Sequence, residues 1–156
     1  MSDVLLAIEG SLGHITLNRP KALNAITRGM VSEIHRALLD WMNDDRVQCV
    51  LIDGAGERGL CAGGDIQAIY EAAVSGGDAP AHFWREEYAV NSLTHHYPKP
   101  YVAIMDGIVM GGGMGISQGA SLRIVTERTK MAMPETNIGL FPDVGGGYFL
   151  SRCPGH

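Results

Sequence analysis

Asp53-Gly54-Ala55-Gly56-Glu57-Arg58-Gly59-Leu60-Cys61-Ala62-Gly63-Gly64-Asp65-Ile66 is the stretch on which the fold turns. It follows the apolar run 47–52, which reads as a buried strand, and Gly54, Gly56 and Gly59 form a literal GxGxxG. A dinucleotide-binding turn needs a helix to open inside that motif, so that its first amides face a pyrophosphate. Here the motif runs on into Leu60-Cys61-Ala62-Gly63-Gly64, which is a poor helix start. The preceding strand is also not the first of the chain. The dinucleotide reading therefore falls away. Gly63-Gly64 stands just ahead of a helix predicted over 65–74, and a helix N-terminus offers unpaired N–H groups to an anion or a developing oxyanion. The alternative at this point is that Asp65 only caps the helix and the glycines only turn.

Upstream, residues 4–8 and 14–18 form a predicted hairpin joined by Glu9-Gly10-Ser11-Leu12-Gly13. Thr27 is placed to cap a helix running to about Asn43, with Met30, Val31, Ile34, Leu38 and Trp41 on one face. Downstream come a loop at 75–80 and a helix over about 81–94 carrying Phe83, Glu86, Glu87, Val90 and Leu93. His95-His96 closes that helix and suits its dipole. A buried strand at 101–105 leads into Gly111-Gly112-Gly113, with a short helix over 116–120. Strands at 122–125 and 131–133 and a helix from 145 complete the order. Strand-to-helix units repeat through glycine-rich turns, so the chain is α/β and reads as one domain over 1–156.

Composition bounds the function. The formal charge is −5, with 12 Lys and Arg and no basic run, which argues against a nucleic-acid surface. No apolar run nears the roughly 18 residues of a membrane span, and the first residues do not resemble a signal peptide. Three cysteines without CxxC spacing read as free thiols in a reducing, cytoplasmic setting, with no zinc site. The 21 glycines are about twice ordinary usage and cluster between hydrophobic runs, where backbone approaches something closely.

Two acids, Glu135 and Asp143, each follow a proline within Met131-Ala132-Met133-Pro134-Glu135-Thr136-Asn137-Ile138-Gly139-Leu140-Phe141-Pro142-Asp143-Val144. Carboxylates in apolar surroundings have raised pKa values, which suits proton transfer near neutral pH. The competing reading is that both acids cap turns.

Four motifs carry a resemblance. Asn18-Arg19-Pro20-Lys21-Ala22-Leu23-Asn24-Ala25, Cys61-Ala62-Gly63-Gly64-Asp65-Ile66, Asp106-Gly107 with Met110-Gly111-Gly112-Gly113, and Pro134-Glu135 with Gly139 occur in the order found in the crotonase (enoyl-CoA hydratase/isomerase) family. The resemblance implies a spiral of ββα units that binds an acyl-CoA thioester, with coenzyme A entering as part of the substrate and no further cofactor. It implies an oxyanion hole at the amides of Gly64 and Gly112, with Gly111, Ala62, Asp65 and Ile66 beside the substrate. Lys21, Ala22 and Leu23, with Ala62, match the part that holds the adenine end of CoA.

Enoyl-CoA hydratases carry a glutamate two residues after the triple glycine, and here that position is Gly115. Glu135 together with Asp143 resembles instead the 3-hydroxyisobutyryl-CoA hydrolase branch, as does Phe83-Trp84-Arg85-Glu86-Glu87-Tyr88, in which Glu87 would line the substrate pocket. The branch implies hydrolysis of a short branched 3-hydroxyacyl-CoA in valine breakdown. Hydration or isomerisation using Glu135 alone is the alternative. Family members are considerably longer than 156 residues, so the resemblance makes this an N-terminal part, lacking the C-terminal helices that complete the pocket and carry subunit contacts. A piece that folds, binds CoA and self-associates without turnover is a third expectation, and a homo-oligomer is expected in either case.

Overall fold

Alternating burial builds the first layer. β1 (Val4–Glu9) and β2 (Leu12–Leu17) pair antiparallel, and Gly13, Ile15 and Leu17 point inward while their neighbours face out. The computed structural model describes residues 2–76 and 78–154. Gly77, in the expected 75–80 loop, and Gly155-His156 at the end lie outside the described residues.

α1 (Arg28–Met42) starts where predicted, because the Thr27 side chain accepts a hydrogen bond from the Met30 N–H. Its face of Met30, Val31, Ile34, Leu38 and Trp41 is buried. β3 (Cys49–Gly54) follows, and the glycine-rich stretch then yields a strand, β4 (Gly59–Cys61), where the dinucleotide reading required a helix. α2 (Ile66–Val74) is capped by Asp65, and α3 (Ala79–His95) begins two residues before the expected start, with a proline in its first turn. β5 (Tyr101–Met105), β6 (Ile108–Met110) and α4 (Gly112–Ser117) come next, then β7 (Leu122–Val125), β8 (Lys130–Ala132) and α5 (Gly146–Leu150).

The order β1β2α1, β3β4α2α3, β5β6α4, β7β8α5 is one ββα unit repeated. Within it, β3, β5 and β7 extend the first hairpin into a five-stranded sheet, β1-β2-β3-β5-β7, parallel beyond β2. β4, β6 and β8 form a separate parallel sheet in that order. The first unit thus gives both its strands to the large sheet, and each later unit gives one strand to each sheet. Fully buried Ile15, Leu17, Val50, Ile52, Tyr101 and Met105 on the large sheet pack with the α1 face. Each such aliphatic side chain contributes about 1.5–3 kcal/mol of burial free energy.

One expectation is corrected, and two short strands are added to the predicted order. The helix placed at 116–120 starts at Gly112, because Gly112 and Gly113 themselves take helical backbone; all six residues of α4 are buried, and its glycines lie where neighbouring groups approach the backbone closely. β4 and β6 are three-residue strands that periodicity does not register.

Candidate active site

The small sheet sets the site. The chain leaves β4, β6 and β8 at the same end, so three segments emerge side by side: Ala62-Gly63-Gly64, Gly111-Gly112 and Met133-Pro134-Glu135. The Gly111 N–H donates to Ala132 O at 3.2 Å, which ties the second segment to the third. Ile26 N–H donates to Gly63 O at 2.8 Å and Asp65 N–H to Ile26 O at 2.9 Å, anchoring both sides of Gly64.

Between those anchors the Gly64 N–H donates to no backbone acceptor among the described residues. Gly112 is the first residue of α4, where an amide has no acceptor within its own helix. The two amides are close neighbours, since a Cβ added at Gly112 would lie 3.3 Å from the Gly64 nitrogen. Gly63 and Gly111 turn the chain at φ +115° and +51°, a region that favours glycine, and so leave both amides pointing off the strand ends. Cys61 braces the first turn by accepting the Gly63 N–H at 3.3 Å. Burial pushes its thiol up to about 12, so it is inert as a nucleophile.

Two carboxylates straddle the Gly111-Gly112 step. A Cβ at Gly111 would stand 3.0 Å from Glu135 Oε1, and one at Gly112 only 2.6 Å from Glu87 Oε1. Glu135 opens a one-turn 3₁₀ helix that ends at Gly139. Its Oε2 is buried without a hydrogen-bond partner among the described residues, and burial, then the Asp143 charge, raises its pKa above the usual carboxylate value. Glu87 is 3% exposed on α3, and burial followed by repulsion from Asp143 and Glu135 pushes its pKa up to about 8. Asp143 is half-buried, and its Oδ2 accepts the Tyr88 hydroxyl at 2.6 Å.

These groups surround a cavity of about 310 Å³ whose other walls include Ile69, Phe83, Trp84 and Leu140. Of the predicted site residues it brings together Ala62, Gly64, Ile66, Glu87, Gly111, Gly112, Glu135 and Asp143. It does not include Lys21, Ala22, Leu23 or Asp65. Lys21 and Ala22 are exposed on a short 3₁₀ turn, and the Leu23 carbonyl accepts the Ala62 N–H at 3.0 Å, one residue behind the wall. Asp65 is occupied structurally: Oδ1 caps α2 through the Ala68 N–H, and Oδ2 pairs with Arg19 at 3.0 Å.

Sequence reading missed Tyr88 and Val144. Tyr88 adjoins Glu87 but lies 55 residues from the acid that it holds, beyond the reach of any local pattern. Val144 fills the space over Gly115: a Cβ there would meet Val144 Cβ at 2.8 Å and Asn91 at 2.9 Å.

A family model for enoyl-CoA hydratase/isomerase matches residues 12–156. The mitochondrial 3-hydroxyisobutyryl-CoA hydrolase of Danio rerio is 54% identical over 154 residues, covering 99% of this chain and 40% of that protein. Its Homo sapiens counterpart is 50% identical over 153 residues, covering 98% and 40%. A crystal structure of a carnitinyl-CoA dehydratase from Mycobacterium thermoresistibile superposes with a TM-score of 0.97 at 57% identity, over 99% of this chain and 46% of that one. An enoyl-CoA hydratase from Rhodobacter sphaeroides 2.4.1 gives 0.95 at 48%, again over 99% and 46%. The chain thus spans about 40% of the length of the curated relatives it matches. The cytoplasmic expectation is overturned by these relatives, whose names place them in the mitochondrion.

Proposed function

The chain belongs to the enoyl-CoA hydratase/isomerase family, and from that premise we propose that it supplies the thioester-binding part of a hydrolase for a short branched 3-hydroxyacyl-CoA. The observation that carries this reading is the pairing of two free amides, Gly64 and Gly112, with two acids, Glu135 and Asp143, around one cavity. The hydrolase names of the relatives at 54% and 50% identity support it.

The thioester carbonyl oxygen sits between the Gly64 and Gly112 N–H groups, which bind it more tightly as it becomes an oxyanion. Glu135, ionised, either takes the proton of an attacking water or adds to the carbonyl itself. In the first route water adds to the carbonyl as Glu135 takes its proton, the C–S bond breaks, and Glu135 returns that proton to the sulfur, leaving the free acid and CoA thiol. In the second the C–S bond breaks to give a Glu135 acyl anhydride and CoA thiolate, and water then hydrolyses the anhydride, restoring the Glu135 carboxylate and supplying the proton that the thiolate takes up. The raised pKa of Glu135 suits it to take a proton from water in the first route. Asp143 orients the water or the 3-hydroxyl group. Glu87, largely protonated below about pH 8, faces the acyl group as a hydrogen-bond donor. The apolar wall of Trp84, Phe83 and Leu140 suits a short alkyl chain.

Hydration by a pair of glutamates is disfavoured by the packing at Gly115, where Val144 and Asn91 leave no space for a second one; hydration through Glu135 alone is the alternative that crotonyl-CoA tests. Exposed Leu122, Ile124, Val125, Phe141 and Leu150 support self-association of the chain, which size-exclusion chromatography reads directly. The functional test is a thiol-release assay over a panel of short acyl-CoAs, with Asp143→Asn alongside. Release from 3-hydroxyisobutyryl-CoA that falls at least 100-fold in Asp143→Asn supports the reading. Full activity in that variant, or hydration of crotonyl-CoA in place of thiol release, overturns it. Binding of acyl-CoA without any thiol release would leave a CoA-binding piece only.

A further inference from the structure

We propose that Tyr88 is a positioning residue for Asp143, holding its carboxylate toward the cavity by a hydrogen bond to Oδ2 so that Oδ1 is left for water or substrate. This rests on the role proposed for Asp143. The bond is short, 2.6 Å from the Tyr88 hydroxyl to Oδ2, and it joins α3 to a loop 55 residues later. Among the described residues Tyr88 is the side chain hydrogen-bonded to the Asp143 carboxylate.

Asp143 needs such a tether. Glu135 and Glu87 line the same cavity, and each feels the Asp143 charge as a repulsion. An untethered carboxylate would swing away from the ionised Glu135 toward water. The backbone around Asp143 is already stiff: Pro142 precedes it, and its carbonyl accepts the Gly146 N–H at 2.7 Å. Val144 follows at φ +41°, a left-handed conformation that a β-branched residue adopts only when its surroundings enforce it. Those surroundings are the Gln118 side chain, which donates to the Val144 carbonyl at 2.7 Å, and the Gly115–Asn91 surface on which Val144 is buried. The main chain is therefore held, and the side-chain torsions of Asp143 are the remaining freedom. The Tyr88 hydroxyl removes it. Consecutive residues of α3 thus serve the site in different ways, Glu87 facing the cavity and Tyr88 gripping the acid opposite.

The test is a double-mutant cycle of Tyr88→Phe and Asp143→Asn in thiol release, with a crystal structure of Tyr88→Phe. Phenylalanine keeps the ring on the cavity wall and deletes only the hydroxyl. The expected result is a fall in kcat of about tenfold with KM changed less than twofold, as for loss of one charge-assisted hydrogen bond. In the Asp143→Asn background, Tyr88→Phe should cost less than twofold, because its effect runs through the acid. Equal losses in both backgrounds, or an unchanged kcat, overturn the proposal. If Asp143→Asn itself is fully active, the role of Asp143 fails instead. The crystal structure decides independently of turnover: an Asp143 carboxylate displaced by about 1 Å or more supports the tether, and an unmoved one refutes it.

Discussion

Gly112→Ala separates a catalytic glycine from a packing one. The added methyl would meet Glu87 Oε1 at 2.6 Å and the Gly64 nitrogen at 3.3 Å. An ordinary carbon–oxygen contact is nearer 3.4 Å, so the Glu87 carboxylate must shift by roughly 0.8 Å, an off-rotamer cost of about 0.5–1.5 kcal/mol. Against this, alanine in place of glycine within a helix is favourable by roughly 0.5–1 kcal/mol, and Gly112 already has helical backbone in α4. The two nearly cancel, so stability should change by less than about 1 kcal/mol. Activity should not be spared. The methyl stands between the two amides proposed to bind the oxyanion and denies the thioester oxygen its place. Losing one such donor costs about 3 kcal/mol, or a 100- to 1,000-fold fall in kcat. Urea unfolding followed by circular dichroism measures the first quantity, and thiol release from the short acyl-CoA measures the second. Unchanged stability with lost turnover is the expected signature. Activity within threefold of the parent chain would refute the oxyanion-hole assignment, and a loss of several kcal/mol in stability would show that Gly112 is there for packing.

Glu87 gives a pH prediction. Its carboxyl titrates near 8 in the fold against an ordinary value of 4.5, so the folded state holds a proton that the unfolded state has lost between those values. Its contribution is therefore fully present below 4.5 and falls by up to ~1.4 kcal/mol per pH unit as the pH rises toward 8. Glu87→Gln should flatten that slope in urea titrations run from pH 5 to pH 8, and an unchanged slope would assign it to other groups. Gly115→Glu should destabilise by about 3 kcal/mol or more, because its Cβ alone would lie 2.8 Å from Val144 Cβ. It should also confer no hydration of crotonyl-CoA, and gain of that activity would contradict the steric argument. Thr27→Ala should cost about 1 kcal/mol through the lost cap on the Met30 N–H and leave thiol release untouched.

Much of the fold was legible in local patterns. The first hairpin, α1 with its Thr27 cap, α2 with its Asp65 cap and the central strands β3 and β5 all follow from spacing and end signals, since those act over a few residues. The failure of the GxGxxG stretch to open a helix was legible too, from the glycines at 63 and 64. The short strands β4 and β6 were not, because three residues carry no period; parallel neighbours hold them in place. Nor was the start of α4, because glycine has weak helix propensity and only burial between packed neighbours holds Gly112 and Gly113 in a helix.

The site divides in the same way. Gly64, Gly112, Glu135 and Asp143 were visible as glycine turns and proline-flanked acids, and the motif order tied them to a thioester. Sequence alone thus determined which residue types line the cavity, because motif chemistry is local. It also made Asp65 and Lys21 candidates, yet Asp65 is taken up by capping α2 and pairing with Arg19, and Lys21 sits outside the cavity. Only the tertiary structure decided the rest. The order β4-β6-β8 sets the glycines beside Glu135, α3 brings Tyr88 onto Asp143, and Val144 closes the space over Gly115. Those pairings join residues tens of positions apart, and the physical reason they escape the sequence is that sheet order and helix packing, not local preference, determine which distant side chains meet.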